Sequence, residues 1–190
     1  LIGRTIIVVC LVIAMAGLLV WWQYFKVYHL ATVRDGVLYR DGVRSAREFL
    51  IALKRVHPKT IVSLVDDREI ENEPFKSEMA ICREQKIEVV RIAIPLGGWP
   101  SSEQIKNFLA VVKDARRQPV LVHCAQGVRR TGMMVAAYQE SEMSWSPQQA
   151  KDSMLTFGHS QRTIKDVQRF IDTYDPKSQQ MTEELPMSNE

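Results

Sequence analysis

The ten residues His123-Cys124-Ala125-Gln126-Gly127-Val128-Arg129-Arg130-Thr131-Gly132 constrain this chain more than any other stretch. The apolar run Pro119 to Val122 leads in and a helical pattern, Met133 to Glu140, leads out. That context predicts a buried strand ending at His123, a sharp turn, and a helix starting near Arg130. Five residues separate Cys124 from Arg130. A loop of that length can curl until its N–H groups converge on one point at a helix N-terminus, a cradle for phosphate. The same positive field favours the thiolate of Cys124, its nucleophilic form. Arg130 can fork two N–H bonds onto phosphate oxygens, and Gly127 can take a positive φ as the loop turns. Thr131 is placed to donate its hydroxyl to the sulfur.

The string HC-x5-R-T-G resembles the signature loop of the cysteine-dependent protein tyrosine and dual-specificity phosphatases. A wider likeness runs from about Thr32 to Tyr174. Val37-Leu38-Tyr39-Arg40, then a helix, then the strand Thr60 to Val65 (TIVSLV), is similar to the small atypical dual-specificity phosphatases. The resemblance implies in-line attack by Cys124, a phospho-cysteine, and its hydrolysis by water without metal or cofactor. Arg130 and the backbone N–H groups of Ala125, Gln126, Gly127, Val128, Arg129 and Arg130 would hold the phosphate oxygens. His123 and Thr131 would support them. His123 positions the loop and helps keep the thiol ionised, or is simply a core histidine.

The leaving oxygen needs a proton, which the family usually supplies from an Asp on the loop after the preceding strand. That loop reads Pro95-Leu-Gly-Gly-Trp-Pro100, with Gly98 where the Asp is expected. Asp66 and Asp67 offer another source. They follow the strand Thr60 to Val65, and the strand C-terminal ends of a parallel sheet share one rim. Asp67 stands farther from the strand end and is the preferred of the two; a solvated turn accounts for both equally well. Glu103 suits the first turn of a helix instead. A third possibility is that no protein acid is used, which favours good leaving groups. Arg129 extends a basic rim toward a second phosphate or faces solvent. Trp99 shapes the pocket mouth or packs on a helix, Cys82 is a buried helix thiol or a disulfide partner for Cys124, and His159 belongs to a helix end.

Composition narrows the classes further. At 190 residues there is room for one domain with a sizeable core, and a net charge of +3 with scattered Lys and Arg offers nothing to nucleic acid. Cys10, Cys82 and Cys124 form neither a disulfide framework nor a zinc spacing.

No charged residue lies between Arg4 and Lys26. As a helix the segment would span about the thickness of a hydrocarbon core, with Trp21, Trp22 and Tyr24 as an aromatic belt. The reading adopted is one transmembrane anchor, with a signal peptide ending at Ala16 as the alternative. Lys26, Arg34, Arg40 and Arg44 on the C-terminal side put the large domain on the cytoplasmic face.

Beyond the anchor, strands and helices alternate. Val33 to Arg40 is a short strand or hairpin with a turn at Asp35-Gly36, and Ser45-Ala-Arg-Glu48 opens a helix to about Val56. The expected fold class is α/β, a mostly parallel sheet flanked by helices on both faces and preceded by one transmembrane helix. Domain bounds follow: an anchor over 1–26, a catalytic domain over 27–174, and a polar, disordered tail over 175–190. The function read from these residues is a membrane-anchored, metal-independent phosphatase acting on phosphoprotein side chains, phosphotyrosine first. The alternatives are a phosphoinositide or inositol polyphosphate phosphatase, and a catalytically dead phosphate-binding adaptor.

Overall fold

Strand β5 (Val120–Cys124) is buried along its whole length and is the middle strand of a five-stranded sheet. The computed structural model describes residues 7, 10–19, 27–154 and 157–181. Residues 10–19 lie in a helix, α1. Then follow β1 (Ala31–Arg34), β2 (Leu38–Gly42), α2 (Ala46–Val56), β3 (Thr60–Ser63), α3 (Phe75–Gln85), β4 (Glu88–Arg91), α4 (Ser102–Lys113) and β5. After β5 come α5 (Arg129–Glu142), α6 (Pro147–Met154), α7 (Gln161–Thr173) and a two-strand hairpin, β6 (Tyr174–Asp175) with β7 (Gln180–Met181).

The sheet order is β1-β2-β5-β3-β4. Strands β2, β5, β3 and β4 run parallel, while β1 is antiparallel to β2. The sheet is therefore mixed: mostly parallel, with an antiparallel edge that the expected fold class did not include. The reason is local: Gly36 at φ +68° turns the chain so tightly that β1 and β2 must pair antiparallel. Tyr39 fixes the turn, donating its hydroxyl to Asp35 Oδ1 at 2.7 Å and accepting from the Gly36 N–H at 3.0 Å.

Alternation along β5 sends its side chains to two different cores. Val120, Val122 and Cys124 join the cluster that includes Ile105, Phe108, Met133 and Phe170, beneath α4, α5 and α7. Leu121 joins Phe49, Leu53, Phe75 and Cys82 beneath α2 and α3. Capping sets where the helices begin. The Ser45 side chain accepts from the Glu48 N–H at 3.2 Å, and Ser101 and Gln104 form a reciprocal capping box on α4. The chain passes from β2 over β5 to β3, then returns from β4 through α4 to β5. The loop after β5 thus opens at the point where the strand order reverses, where α/β sheets bind ligands.

The expected anchor is corrected as well. Among the described residues no helix is long and apolar enough to cross a membrane. The single-pass anchor, and the placement of the domain on a cytoplasmic side that depended on it, are withdrawn. Residues 1–6, 8–9 and 20–26, including Trp21, Trp22 and Tyr24, lie outside the described residues, as does the tail over 182–190. Residues 175–181, expected in that tail, complete the β6–β7 hairpin, where the Met181 N–H donates to Ser102 Oγ at 3.3 Å.

Candidate active site

Strand β5 ends at Cys124 and helix α5 begins at Arg129, so the loop between them is short and its backbone is held from both sides. The Val43 N–H donates to Cys124 O at 3.3 Å and the Leu64 N–H to His123 O at 2.9 Å, which pins the strand end between its neighbours. Gly127 turns with φ +66°, and a Cβ there would lie 2.3 Å from Asp41 O. A Cβ on Gly42 would lie 2.5 Å from the Gln126 carbonyl. The end of β2 and the loop therefore meet backbone to backbone, and only glycine fits on each side. His29 Nδ1 lies 2.7 Å from Gln126 O and Arg40 Nη2 donates to Gly127 O at 2.6 Å. Arg40 is 1% exposed, with its guanidinium over the Phe157 ring at 3.8 Å. Burial pulls its pKa down to about 10, opposed by the charge of Cys124.

Cys124 is 2% exposed. Burial pushes the thiol pKa up, but the Arg130 guanidinium, the Thr131 hydroxyl and the N–H groups of Thr131 and Gln126 outweigh it. The net shift is downward, toward the thiolate. Arg130 packs beside it with both ends occupied: Nη1 donates to Glu69 Oε2 at 2.6 Å and Nη2 to Glu69 Oε1 at 3.2 Å. Nη1 also reaches the carbonyls of Leu64 and Ile94, each at 3.4 Å, at the ends of β3 and β4. Glu69 is itself fixed, accepting the Asp66 N–H at 3.1 Å.

The other sequence-predicted residues fall in different places. Asp66 is a bracket: Oδ1 accepts the Arg68 N–H at 2.9 Å and Oδ2 the Leu96 N–H at 3.0 Å. Those N–H bonds hold its pKa below the ordinary carboxylate value. Asp67 points outward, 77% exposed, in an ion pair with Arg91 at 2.8 Å. Glu103 lies in the exposed first turn of α4.

Arg129 turns away from Arg130. Its Nε donates to Asp166, its Nη1 to Gly98 O, and its Nη2 to Gly97 O at 2.8 Å. Trp99 Nε1 donates to Asp166 as well, at 3.0 Å, and the indole meets Phe170 edge-on at 5.7 Å. These contacts tie the loop 95–100 down onto α7. Cys82 is fully buried on the opposite face of the sheet from Cys124, its thiol pushed up to about 12 by burial and by Glu78. His159 lies against Gly132, 3.3 Å from where a Cβ would stand. Burial, with Arg40 and His29 nearby, lowers its pKa to about 4.

Residues 34–174 match the sequence profile of the family described as DSP-PTPase phosphatase fused to NAD+ kinase. The chain belongs to this family of cysteine-based phosphatases. Inositol diphosphatase DSP2 of Oryza sativa subsp. japonica is 31% identical over 158 residues, 79% of this chain and 71% of that protein. Dual specificity protein phosphatase TpbA of Pseudomonas aeruginosa (strain UCBPP-PA14) is 26% identical over 121 residues, 64% of this chain and 51% of that one. A probable chloroplastic NAD kinase 2 of Oryza sativa subsp. japonica matches at 36% over 55 residues. The chain spans only 6% of that kinase's length. Among solved structures, the catalytic core of the PP-IP phosphatase SIW14 from S. cerevisiae aligns with a TM-score of 0.63 at 21% identity, over 77% of this chain and 85% of that one. P. aeruginosa TpbA in complex with pTyr aligns with a TM-score of 0.61 at 20% identity, over 80% and 88%. At these identities the structural likeness speaks for the phosphatase fold.

Within that fold, Glu69, Arg40, Asp41 and Glu78 were not singled out from sequence. Glu69 carried one signal, since it closes the Asp-Asp-Arg-Glu run after β3 at the rim shared with the loop. Arg40 enters the sequence reading only in the wider resemblance, at the end of the 33–40 hairpin, and in the count of flanking cations.

Proposed function

We propose that the chain hydrolyses phosphomonoesters, phosphotyrosine side chains of proteins among them, through a phospho-cysteine at Cys124. The observation that carries this reading is a thiol that is 2% exposed and nonetheless shifted toward its thiolate, beside Arg130. The thiolate attacks phosphorus and the P–O bond to the leaving group breaks. Water then cleaves the S–P bond, releasing inorganic phosphate and restoring the thiol. Arg130 and the N–H groups of residues 125–130 take the three equatorial oxygens in both steps. Arg129 contributes its backbone N–H to that cradle, while its side chain anchors the loop 95–100.

A second reading, hydrolysis of an inositol diphosphate, is favoured by how the candidate acids are engaged. Asp66 accepts two backbone N–H bonds and is held ionised, and Asp67 is paired with Arg91. A phenol leaves with a pKa of about 10 and wants a proton in the transition state. A phosphate group, with a second pKa of about 6, leaves without one. The relatives named inositol diphosphatases point the same way.

The test is turnover of a phosphotyrosine peptide and of an inositol diphosphate, side by side, for wild type and Cys124→Ser. Cys124→Ser is expected to lose at least about 10³-fold in kcat on either substrate while still binding phosphate or tungstate. Wild-type turnover by that variant would defeat the thiol mechanism. A wild-type protein that binds phosphate yet turns over neither substrate would instead be an adaptor.

A further inference from the structure

The parallel register of β2, β5 and β3 aligns Asp41, His123 and Ser63 in one row across the sheet, on the face beneath α2 and α3. One row below stand Tyr39, Leu121 and Ile61, in register and packed in the same apolar cluster. A polar layer thus lies between the apolar floor and the phosphate loop. Asp41, Ser63 and His123 are each no more than 1% exposed.

Glu78 of α3 comes down onto this layer. Its Oε1 is 2.9 Å from His123 Nε2, and both side chains are fully buried. Two more carboxylates face the cluster: Asp41 from β2, with neither oxygen hydrogen-bonded to protein, and Glu48 from α2. Cys82 lies on the same helix as Glu78, and Cys124 follows His123 in the chain. The Phe49 ring covers the imidazole, with centroids 6.4 Å apart.

Two buried carboxylates, Asp41 and Glu78, and one buried imidazole, with the half-buried Glu48 at their edge, leave few charge arrangements. An ionised Glu78 facing a neutral imidazole would be a buried, uncompensated charge, which is strongly unfavourable. With His123 protonated the pair is neutral overall, and its positive end is the covalent neighbour of Cys124. Burial opposes the imidazolium, but Glu78, Asp41 and Cys124 together raise His123 to about 9. Asp41, buried without a partner of its own, rises to about 7.

We propose that Glu78 is a positioning residue that holds His123 as a buried imidazolium behind the phosphate loop, and through that charge keeps the Cys124 thiol ionised. The inference rests on Cys124 being the nucleophile. Its readout is the thiol itself, so it stays legible even if hydrolysis fails.

The experiment is the pH dependence of Cys124 alkylation by iodoacetamide in the full chain. Peptide-resolved mass spectrometry separates Cys124 from the exposed Cys10 and the buried Cys82. In Glu78→Gln the alkylation midpoint is expected to rise by about one pH unit, with the acid limb of kcat/KM moving alongside it. Glu78→Asp, which restores the charge, should recover most of the shift. A folded Glu78→Gln protein with an unmoved midpoint overturns the proposal, and so does one that loses kcat while midpoint and acid limb stay put. If Glu78→Gln does not fold, the imidazole ¹⁵N spectrum of the wild-type protein at pH 7.5 decides. Both His123 nitrogens protonated supports the pairing, and a neutral tautomer overturns it. A wild-type protein with a lowered thiol midpoint but no turnover would sink the phosphatase reading and leave this one standing.

Discussion

Two segments leave the same rim of the sheet and flank the phosphate loop: the β3–α3 crossover, residues 64–74, and the β4–α4 loop, residues 95–100. They are fastened in opposite ways. The crossover reaches inward with a carboxylate, Glu69, which clasps the guanidinium of Arg130. The β4–α4 loop is instead gripped from outside, by the side chain of Arg129 on its carbonyls and by the bond from Trp99 to Asp166. Consecutive residues at a helix start point in different directions. Adjacent arginines therefore serve different segments: Arg130, 5% exposed, holds the crossover and is the one proposed to take part in the chemistry, and the half-buried Arg129 holds the wall. If Cys124 is the nucleophile as proposed, the difference makes the crossover part of the catalytic framework. The β4–α4 loop, with Leu96 72% exposed, faces outward.

The largest effect that would break this comparison is at Arg130. Arg130→Lys should lower kcat by about 10²–10³-fold, because an ammonium cannot hold both Glu69 and two phosphate oxygens. Glu69→Gln keeps the shape and removes the charge, and a loss of roughly 10-fold in kcat with little change in KM is expected. Arg129→Lys should stay within about 3-fold in kcat and act on KM instead. Steady-state kinetics on one aryl phosphate settles all three. If Arg129→Lys proved as damaging as Arg130→Lys, the division between framework and wall would be wrong.

How far the sequence showed this division depends on the range of the contacts. The strand–loop–helix around Cys124 was legible because apolar run, loop and helix pattern are contiguous. The helix start at Ser45 was legible because a cap is a local contact. The hairpin turn at Asp35-Gly36 was legible too, but not its consequence, an antiparallel edge on the sheet. Glu69 was passed over as part of a solvated turn, because its partner Arg130 lies 61 residues away in the chain. Glu78 carries no signal in the sequence. Its role appears only when β2, β5 and β3 line up and α3 packs across them. The apolar start of the chain has the length of a bilayer span in sequence, but no helix among the described residues is long and apolar enough to cross a membrane.

Asp66 bonds the two segments directly, through its acceptance of the Leu96 N–H. Asp66→Asn leaves a single side-chain acceptor for the N–H groups of Arg68 and Leu96. A Tm lower by roughly 3–8 °C at neutral pH is expected. The folded carboxylate pKa lies below its ordinary value of 3.8. Its contribution is therefore complete above that pH and is lost as pH falls through the folded value. The gap between wild type and variant should thus be constant from pH 7 to 5 and close below pH 4. A gap that widens on acidification would mean that Asp66 is not held as a carboxylate.

The smallest effect is expected at the residue that the sequence favoured as general acid. Asp67 is 77% exposed and paired with Arg91, and a surface pair of that kind contributes about 0–1 kcal/mol. Asp67→Asn should change kcat by less than about 2-fold on a nitrophenyl phosphate, a phosphotyrosine peptide and an inositol diphosphate alike. The basic limb of the pH–rate profile should also stay in place. An acid that protonated the leaving oxygen would instead contribute about 10²–10⁴-fold, most on the phenol leaving group of the peptide and least on phosphate. The two expectations are far enough apart for one assay to separate them. A selective loss on the peptide, with the basic limb gone, would mean that Asp67 leaves Arg91 and swings over Cys124 when substrate binds. The crossover would then be the moving part of the site, and the β4–α4 loop, held by Arg129, the fixed one.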